Sequence, residues 1–267
     1  MLKLRVITAL VIAPIVIALI FLAPGWLFTG VMLVMALVGA WEWSALAGRP
    51  ARAARIEMAG LFLAVIALFV LVQPRGAYLQ GMVVYCVVAL AWWIFSLIWI
   101  ARLRTEFSVP VKIFCGVLTL LPSLAAVVAI RAANSWYLLI LLLLTSAADI
   151  GAYFTGRAFG RHKLAPLVSP SKTWEGVAGG VALAAVVAGG ACYWLPVPWW
   201  LFVPLCIGVA LLSVVGDLSE SLFKRQAGIK DSGNFFPGHG GVLDRVDSLT
   251  AAAPLYWLGL FGLGLIS

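Results

Sequence analysis

Three aspartates near the C-terminus have the side-chain chemistry and the spacing of a metal site. Asp217 ends an apolar run in "SVVGDLSESLFKR", and "DRVD" opens the next run with Asp244 and Asp247, which share one face of a first helical turn. Carboxylates at a membrane boundary are costly unless they are paired or bind a cation. Mg²⁺ prefers such oxygen ligands together with substrate phosphates. The aspartates therefore predict a divalent-cation site, although one of them could instead only cap a helix.

The segment between these aspartates, "KRQAGIKDSGNFFPGHGGVLDRVD" (residues 224–247), combines cations with glycines. Its basic side chains could neutralise phosphate oxygens. They are Lys224, Arg225, Lys230 and Arg245. Its glycines allow tight turns and close approach of backbone amides to an anion. They are Gly233, Gly238, Gly240 and Gly241, beside Pro237. The segment therefore predicts a polyphosphate site.

Four further residues, one in this segment and three outside it, have more than one possible role. His239 could protonate a leaving pyrophosphate, contact phosphate or only order its loop. Asp149, in "SAADIGAYFTGR", could approach the metal or substrate, or form an ion pair with a neighbouring helix. Ser171 and Lys172, in "VSPSKTWEG", could cradle a phosphate, although these are also ordinary helix-start residues.

The composition predicts that transmembrane helices position these groups. The chain has 267 residues, of which 64% are hydrophobic and 10% are charged, far fewer charges than in soluble domains. Nine apolar runs predict about nine transmembrane helices in one polytopic all-α domain. They span residues 6–23, 26–47 (which Glu42 could bend or split), 57–73, 78–101, 111–130, 135–155, 175–195, 199–217 and 249–266. We divide this domain into N-terminal helices (1–134) and a catalytic half (135–267). The four scattered cysteines are expected to be apolar fillers.

The basic residues predict the orientation. With a cytoplasmic N-terminus, all 18 lysines and arginines except Arg75 and Arg131 fall in cytoplasmic segments. The basic residues, which give the chain a net charge of +8, then form a cytoplasmic belt suited to anionic headgroups and polyphosphates. We expect no role in nucleic-acid binding. The two longest connections, 156–174 and 218–248, face the cytoplasm as well. We therefore expect a water-soluble substrate to meet a membrane-held one on that side.

The run from Ser221 to Asp247 resembles the signature of the phosphatidate cytidylyltransferase family. Lys-Arg, then Lys-Asp, His-Gly-Gly and Asp-Arg-x-Asp occur in order, and "SPSKTWEG" and "DIGAYFTGR" resemble other family segments. The first 110 residues match only in hydrophobic character.

The resemblance implies a homodimeric enzyme of the bacterial cytoplasmic (inner) membrane, with its active site on the cytoplasmic side. Such an enzyme converts phosphatidic acid and CTP into CDP-diacylglycerol and pyrophosphate with Mg²⁺. Asp217 and Asp244 would bind the metal, with Asp247 supporting. The implied catalytic residues are Asp217, Lys224, Arg225, Lys230, Asp231, His239, Asp244, Arg245 and Asp247. The implied substrate-binding residues are Asp149, Ser171, Lys172, Gly240 and Gly241.

Three alternatives share parts of this pattern. A CTP-dependent lipid-alcohol kinase would use the same nucleotide but transfer its γ-phosphoryl group. A prenyltransferase would need a second Asp-x-x-Asp motif. An ion-coupled transporter would use Asp149 and Asp217 as coupling sites but should show interrupted helices in repeated halves.

Overall fold

The computed structural model describes residues 2–72, 78–103, 106–233, 235 and 240–266. Within these ranges the chain forms helices and one short antiparallel hairpin. The helices are α1 (Leu2–Phe21), α2 (Gly25–Leu46), α3 (Arg52–Val72), α4 (Tyr78–Ile98), α5 (Val109–Ala133), α6 (Ser135–Phe159), α7 (Trp174–Trp194), α8 (Trp199–Gln226) and α9 (Leu243–Gly262). A π-helical segment, Trp99–Leu103, continues α4. The hairpin pairs β1 (Lys163–Ala165) with β2 (Ser169–Thr173).

Each predicted apolar run corresponds to one of these helices, so the all-α class is confirmed. The α2 helix is unbroken around Glu42. Among the described residues, seven helices are long and apolar enough to cross a membrane, namely α2 to α8. Only Val11–Phe21 of α1 counts as a short apolar helix, and α9 opens with a charged turn. Nine crossings therefore stay a prediction.

Two apolar clusters hold the helices together. The first includes Phe28, Ile130, Leu138, Phe202 and Tyr256. Near it, Arg131 donates hydrogen bonds to the carbonyls of Ile20 and Ala23, so the α5–α6 connection is tied to the α1–α2 connection.

The second cluster lies beside the charged connections and is rich in aromatic rings. Phe223 packs against Trp43 and Trp99, with ring centroids 5.0 Å and 5.2 Å apart. Trp43 also donates a 2.8 Å hydrogen bond to the carbonyl of Lys112. These contacts join α2, α5 and α8 at the end of the molecule that carries the predicted site.

Small residues allow α6 and α7 to pack backbone against backbone. A Cβ atom on Gly151 would lie 2.5 Å from the Gly179 carbonyl oxygen, and one on Gly180 would lie 2.5 Å from the Ala148 carbonyl oxygen. Such close approach through small side chains is typical of membrane helix pairs. It sets the position of Asp149 on α6 relative to the hairpin that leads into α7.

The cysteines have the role that the sequence predicted. Cys86, Cys115 and Cys206 are buried, Cys192 is half-buried, and all four are free thiols. Cys86 and Cys206 belong to the first apolar cluster and Cys115 to the second. They act as small apolar side chains.

Candidate active site

The two long connections meet at one end of the helix bundle. Arg225, at the end of α8, lies with its Nε 3.5 Å from the carbonyl oxygen of Val168 in the hairpin turn. Lys172 of β2 lies with its Nζ 2.5 Å from Oδ2 of Asp217 on α8. The structure therefore brings "SPSKTWEG" next to the segment that the sequence analysis identified as a polyphosphate site.

Around Lys172 lies a group of charges that we call the open cluster, made of Asp149, Lys172, Asp217 and Asp247. The side chains of Lys172 and Asp217 are 24% and 26% exposed, and Asp149 is exposed. Ser221 donates a 3.3 Å hydrogen bond to Oδ1 of Asp217. Asp247 interacts electrostatically with both Asp217 and Asp149. Side chains from α6, β2, α8 and α9 thus converge at a site open to ligands.

The open cluster has more negative than positive charge. Asp149 and Asp217 interact with the ammonium of Lys172, and Asp247 interacts with both of these carboxylates and with Lys224. Hard divalent cations prefer such oxygen donors, and a cation would offset the excess negative charge. The donor set therefore fits Mg²⁺. In the described ranges, however, no three His, Cys, Asp or Glu side chains are close enough to form a ready metal cage.

A second group, which we call the closed cluster, consists of Glu42, Glu220, Lys224, Ser232 and Asp244. The Lys224 Nζ lies 2.7 Å from Oδ1 of Asp244 and 3.3 Å from Oε1 of Glu220. The side chains of Lys224, Asp244 and Glu220 are only 12%, 9% and 5% exposed. This is a buried ionic network.

Asp244 uses both of its carboxylate oxygens within the closed cluster. Oδ1 accepts from Lys224, while Oδ2 accepts from the Ser232 amide (2.9 Å), the Ser232 hydroxyl (3.0 Å) and the Gly241 amide (2.8 Å). Asp244 and Asp247 therefore have different surroundings although they are one helical turn apart. Of the three expected metal ligands, Asp217 and Asp247 lie together, and Asp244 holds the loop.

Most of the other predicted site residues are exposed. Exposed side chains belong to Ser171, Arg225, Lys230, Asp231 and Arg245. Gly240 has a φ of +79°, and a Cβ there would lie 2.6 Å from Oδ2 of Asp244. His239, Pro237 and Gly238 lie outside the described residues, so the roles considered for His239 stay open.

The last three residues of β2 have different roles. Thr173 caps α7, because its Oγ1 accepts a 3.1 Å hydrogen bond from the Gly176 amide. Lys172 points instead to Asp217, and Ser171 is exposed. Helix-start chemistry thus accounts for Thr173, whereas Lys172 contributes to the site.

Comparison with known proteins places this arrangement in a family. The sequence profile of the cytidylyltransferase family matches residues 3–261, almost the whole chain. The chain belongs to the cytidylyltransferase family. It is 42% identical to a phosphatidate cytidylyltransferase of Pseudomonas aeruginosa, across 99% of this chain and 98% of the relative. It is 36% identical to one from Haemophilus influenzae, across 96% and 97%. A relative from Brucella suis is 53% identical over 116 residues, 42% of each chain.

Sequence reasoning did not assign a role in the site to two buried acids of this cytidylyltransferase. Glu42 is 3% exposed and contacts the start of α9, and Glu220 is 5% exposed and contacts Lys224. Each lies within an apolar helix, where an acidic residue is expected to have a partner. A buried acid without a partner would be costly, so the sequence indicated that both residues have partners. It could not identify those partners.

Proposed function

We propose that the protein is a phosphatidate cytidylyltransferase, which transfers CMP from CTP to phosphatidic acid. The family match over residues 3–261 carries this proposal, and the names of the full-length relatives specify the substrates. The open cluster supports it with accessible acidic and basic groups beside a lipid-facing helix bundle. The products are CDP-diacylglycerol and pyrophosphate.

The reaction is an in-line displacement at the α-phosphorus of CTP. An oxygen of the phosphatidate phosphate forms the new P–O bond, and the bond from the α-phosphorus to the bridging oxygen breaks as pyrophosphate leaves. The attacking phosphate is already ionised near neutral pH, so no strong general base is required. The main tasks of the protein are to position two anions and to reduce their repulsion.

The exposed cations are suited to those tasks. Arg225, Lys230 and Arg245 are exposed, and Lys172 lies in the open cluster beside Asp217. Guanidinium groups bind phosphate oxygens in a bidentate manner, whereas lysines act as compact point charges. Lys224 is engaged with Asp244 and Glu220, so it would contact phosphate only if one of these ion pairs opened.

Asp217 and Asp247 are the residues that we propose to hold Mg²⁺, with Asp149 nearby. When bound, Mg²⁺ would neutralise charge on the nucleotide phosphates. Asp244 would act from the closed cluster by holding the loop that precedes Arg245. If a substrate phosphate drew Lys172 away from Asp217, Oδ2 of Asp217 would become available to the metal.

We also propose nine crossings of the bacterial inner membrane, with the N-terminus and the active site on the cytoplasmic side. The site end carries the arginines and lysines of the long connections, as the positive-inside rule requires. The end of α7 and the start of α8 carry exposed rings, which are typical of a membrane interface: Tyr193, Trp194, Trp199 and Trp200. A homodimer, as the resemblance implies, is part of the proposal.

The test uses purified protein, phosphatidic acid in detergent micelles, Mg²⁺ and CTP labelled separately at the α- and γ-phosphorus. We expect the lipid product to carry label when the α-phosphorus of CTP is labelled and to carry none when the γ-phosphorus is labelled. Transfer of the γ label would identify a lipid kinase instead. Omitting Mg²⁺ tests the metal, and cross-linking in native membranes tests the dimer.

A further inference from the structure

Glu42 lies on α2, outside the signature segments, in a part of the chain where the sequence analysis expected only hydrophobic character in common with the family, although the family profile matches from residue 3. Its carboxylate nevertheless contacts the first turn of α9, some 200 residues away. Oε1 accepts a 3.0 Å hydrogen bond from the Val242 amide, and Oε2 accepts one of 2.9 Å from the Leu243 amide. Val242, the N-cap residue, supplies no side-chain cap. Glu42 therefore caps α9 from another helix, where a negative charge is favoured.

Ser232 links Glu42 to the active-site loop. Its Oγ lies 3.0 Å from Oε2 of Glu42 and 3.0 Å from Oδ2 of Asp244. A hydroxyl has one proton, so it donates to one of these carboxylates at a time. The positions of Glu42 and Asp244 are thus connected through a single side chain.

Two loop glycines pack directly against the Glu42 carboxylate. A Cβ on Gly233 would lie 2.3 Å from Oε1, and a Cβ on Gly241 would lie 2.5 Å from Oε2. Side chains at these positions would push the loop away from α2. The glycines of the signature segment thus permit contact with a protein carboxylate at these two positions, in addition to any contact with substrate.

The charge of Glu42 is balanced by backbone dipoles. None of the salt bridges among the described residues involves Glu42, although its side chain is buried. The Val242 and Leu243 amides and the N-terminal end of α9 provide the compensation. Removing the charge should therefore weaken the start of α9 first.

We propose that Glu42 is a positioning residue for the active site, which holds Ser232, Gly233 and Gly241 and the first turn of α9. Its capping of α9 sets where Asp244 and Asp247 project, and its contact with Ser232 sets the loop against Asp244. The catalytic part of this inference depends on the proposed function, whereas the structural part does not.

The first experiment compares Glu42→Gln with Glu57→Gln, a matched control on α3 whose acid pairs with Arg49 at the surface. Gln has nearly the same shape as Glu, but one acceptor oxygen becomes an NH₂ group that faces backbone donors. Hydrogen–deuterium exchange should become at least about tenfold faster in peptides covering 240–247 of Glu42→Gln, because one of the two buried amides loses its acceptor and meets an NH₂ group instead. Exchange in the α6 and α7 peptides should not change. Unchanged exchange at 240–247, or an equal increase throughout the protein, would overturn the proposal.

The second experiment measures CMP transfer by Glu42→Gln, Ser232→Ala and the double variant. We expect kcat to fall about tenfold or more in Glu42→Gln. The double variant should lose little beyond that, because both changes break the same connection. Ser44→Ala, on the same helix but bonded to the Arg49 carbonyl, should combine with Glu42→Gln multiplicatively. A multiplicative result for Ser232→Ala would refute the proposed link.

The two experiments separate the two proposals. If wild-type protein gave no α-labelled lipid, the proposed function would fail, and the exchange experiment would still decide whether Glu42 holds the loop. If wild-type protein were active and Glu42→Gln retained full kcat, only the positioning role would fail.

Discussion

The open and closed clusters are neighbours built from the same kinds of side chain, yet their environments differ. In the open cluster, Asp149 and Asp217 interact with Lys172, and all three of these side chains are accessible. In the closed cluster, Lys224 and Asp244 are almost fully buried and bonded to each other. Accessibility favours ligand binding, whereas burial of paired charges favours a structural role.

The comparison shows that adjacent residues of one motif can have separate tasks. Asp244 and Asp247 both belong to "DRVD", but Asp244 anchors the loop and Asp247 faces Asp217. The signature therefore contains both the chemistry and the framework that positions it. Variants that separate stability from activity test this division.

The largest expected effect is on stability, from Lys224→Gln. Removing this ammonium leaves Asp244 and Glu220 buried without a compensating cation, which costs about 3–5 kcal/mol in comparable buried pairs. Thermal unfolding in detergent should show a large loss. Lys172→Gln, in the open cluster, should cost much less. Equal losses for the two lysines would contradict the division into open and closed clusters.

Asp217→Asn should instead reduce activity. A metal and its carboxylate ligands supply several kcal/mol of charge stabilisation, so we expect CMP transfer to fall about 100-fold or more. Unfolding in detergent should change little, because Asp217 is partly exposed. Glu106→Gln, an exposed acid between α4 and α5, is the matched control. Near-normal turnover by Asp217→Asn would remove the metal assignment.

Gly241→Ala tests how tightly the loop contacts the closed cluster. The added methyl group would lie 2.2 Å from the Ser232 Oγ and 2.5 Å from the Glu42 Oε2. Overpacking of this kind costs about 1–3 kcal/mol, and it should lower both stability and CMP transfer. Gly60→Ala in α3 meets no atom within 4 Å and should be neutral or slightly stabilising. Similar behaviour of the two variants would show that the loop can move away from Glu42.

The smallest effect is expected at the surface. Arg49 and Glu57 are only 2.6 Å apart, but their side chains are 38% and 60% exposed. Exposed pairs contribute about 0–1 kcal/mol, so Arg49→Gln should hardly change the unfolding temperature. A loss of stability as large as that of Lys224→Gln would show that the distance between the charges, and not their burial, determines how much these ion pairs stabilise the protein.

Much of the fold could be predicted from local patterns. Nine apolar runs predicted nine helices, and the run that ended at residue 217 extends as a helix to Gln226, because "LSESLFKRQ" lacks proline and glycine. The π-helical segment and the hairpin were not predicted. The hairpin is short, and one of its two strands contains a proline.

The sequence by itself determined the membrane class, the positions of the helices, the family signature and the set of groups available for phosphate and metal chemistry. These depend on residue type and short spacing, which the chain carries locally. Only the tertiary structure decided that Glu42 caps α9, that Lys224 pairs with Asp244 and that Lys172 reaches Asp217. The partners in these contacts come from different secondary-structure elements, and a buried charge selects its partner from whatever donors the packing brings within hydrogen-bonding distance.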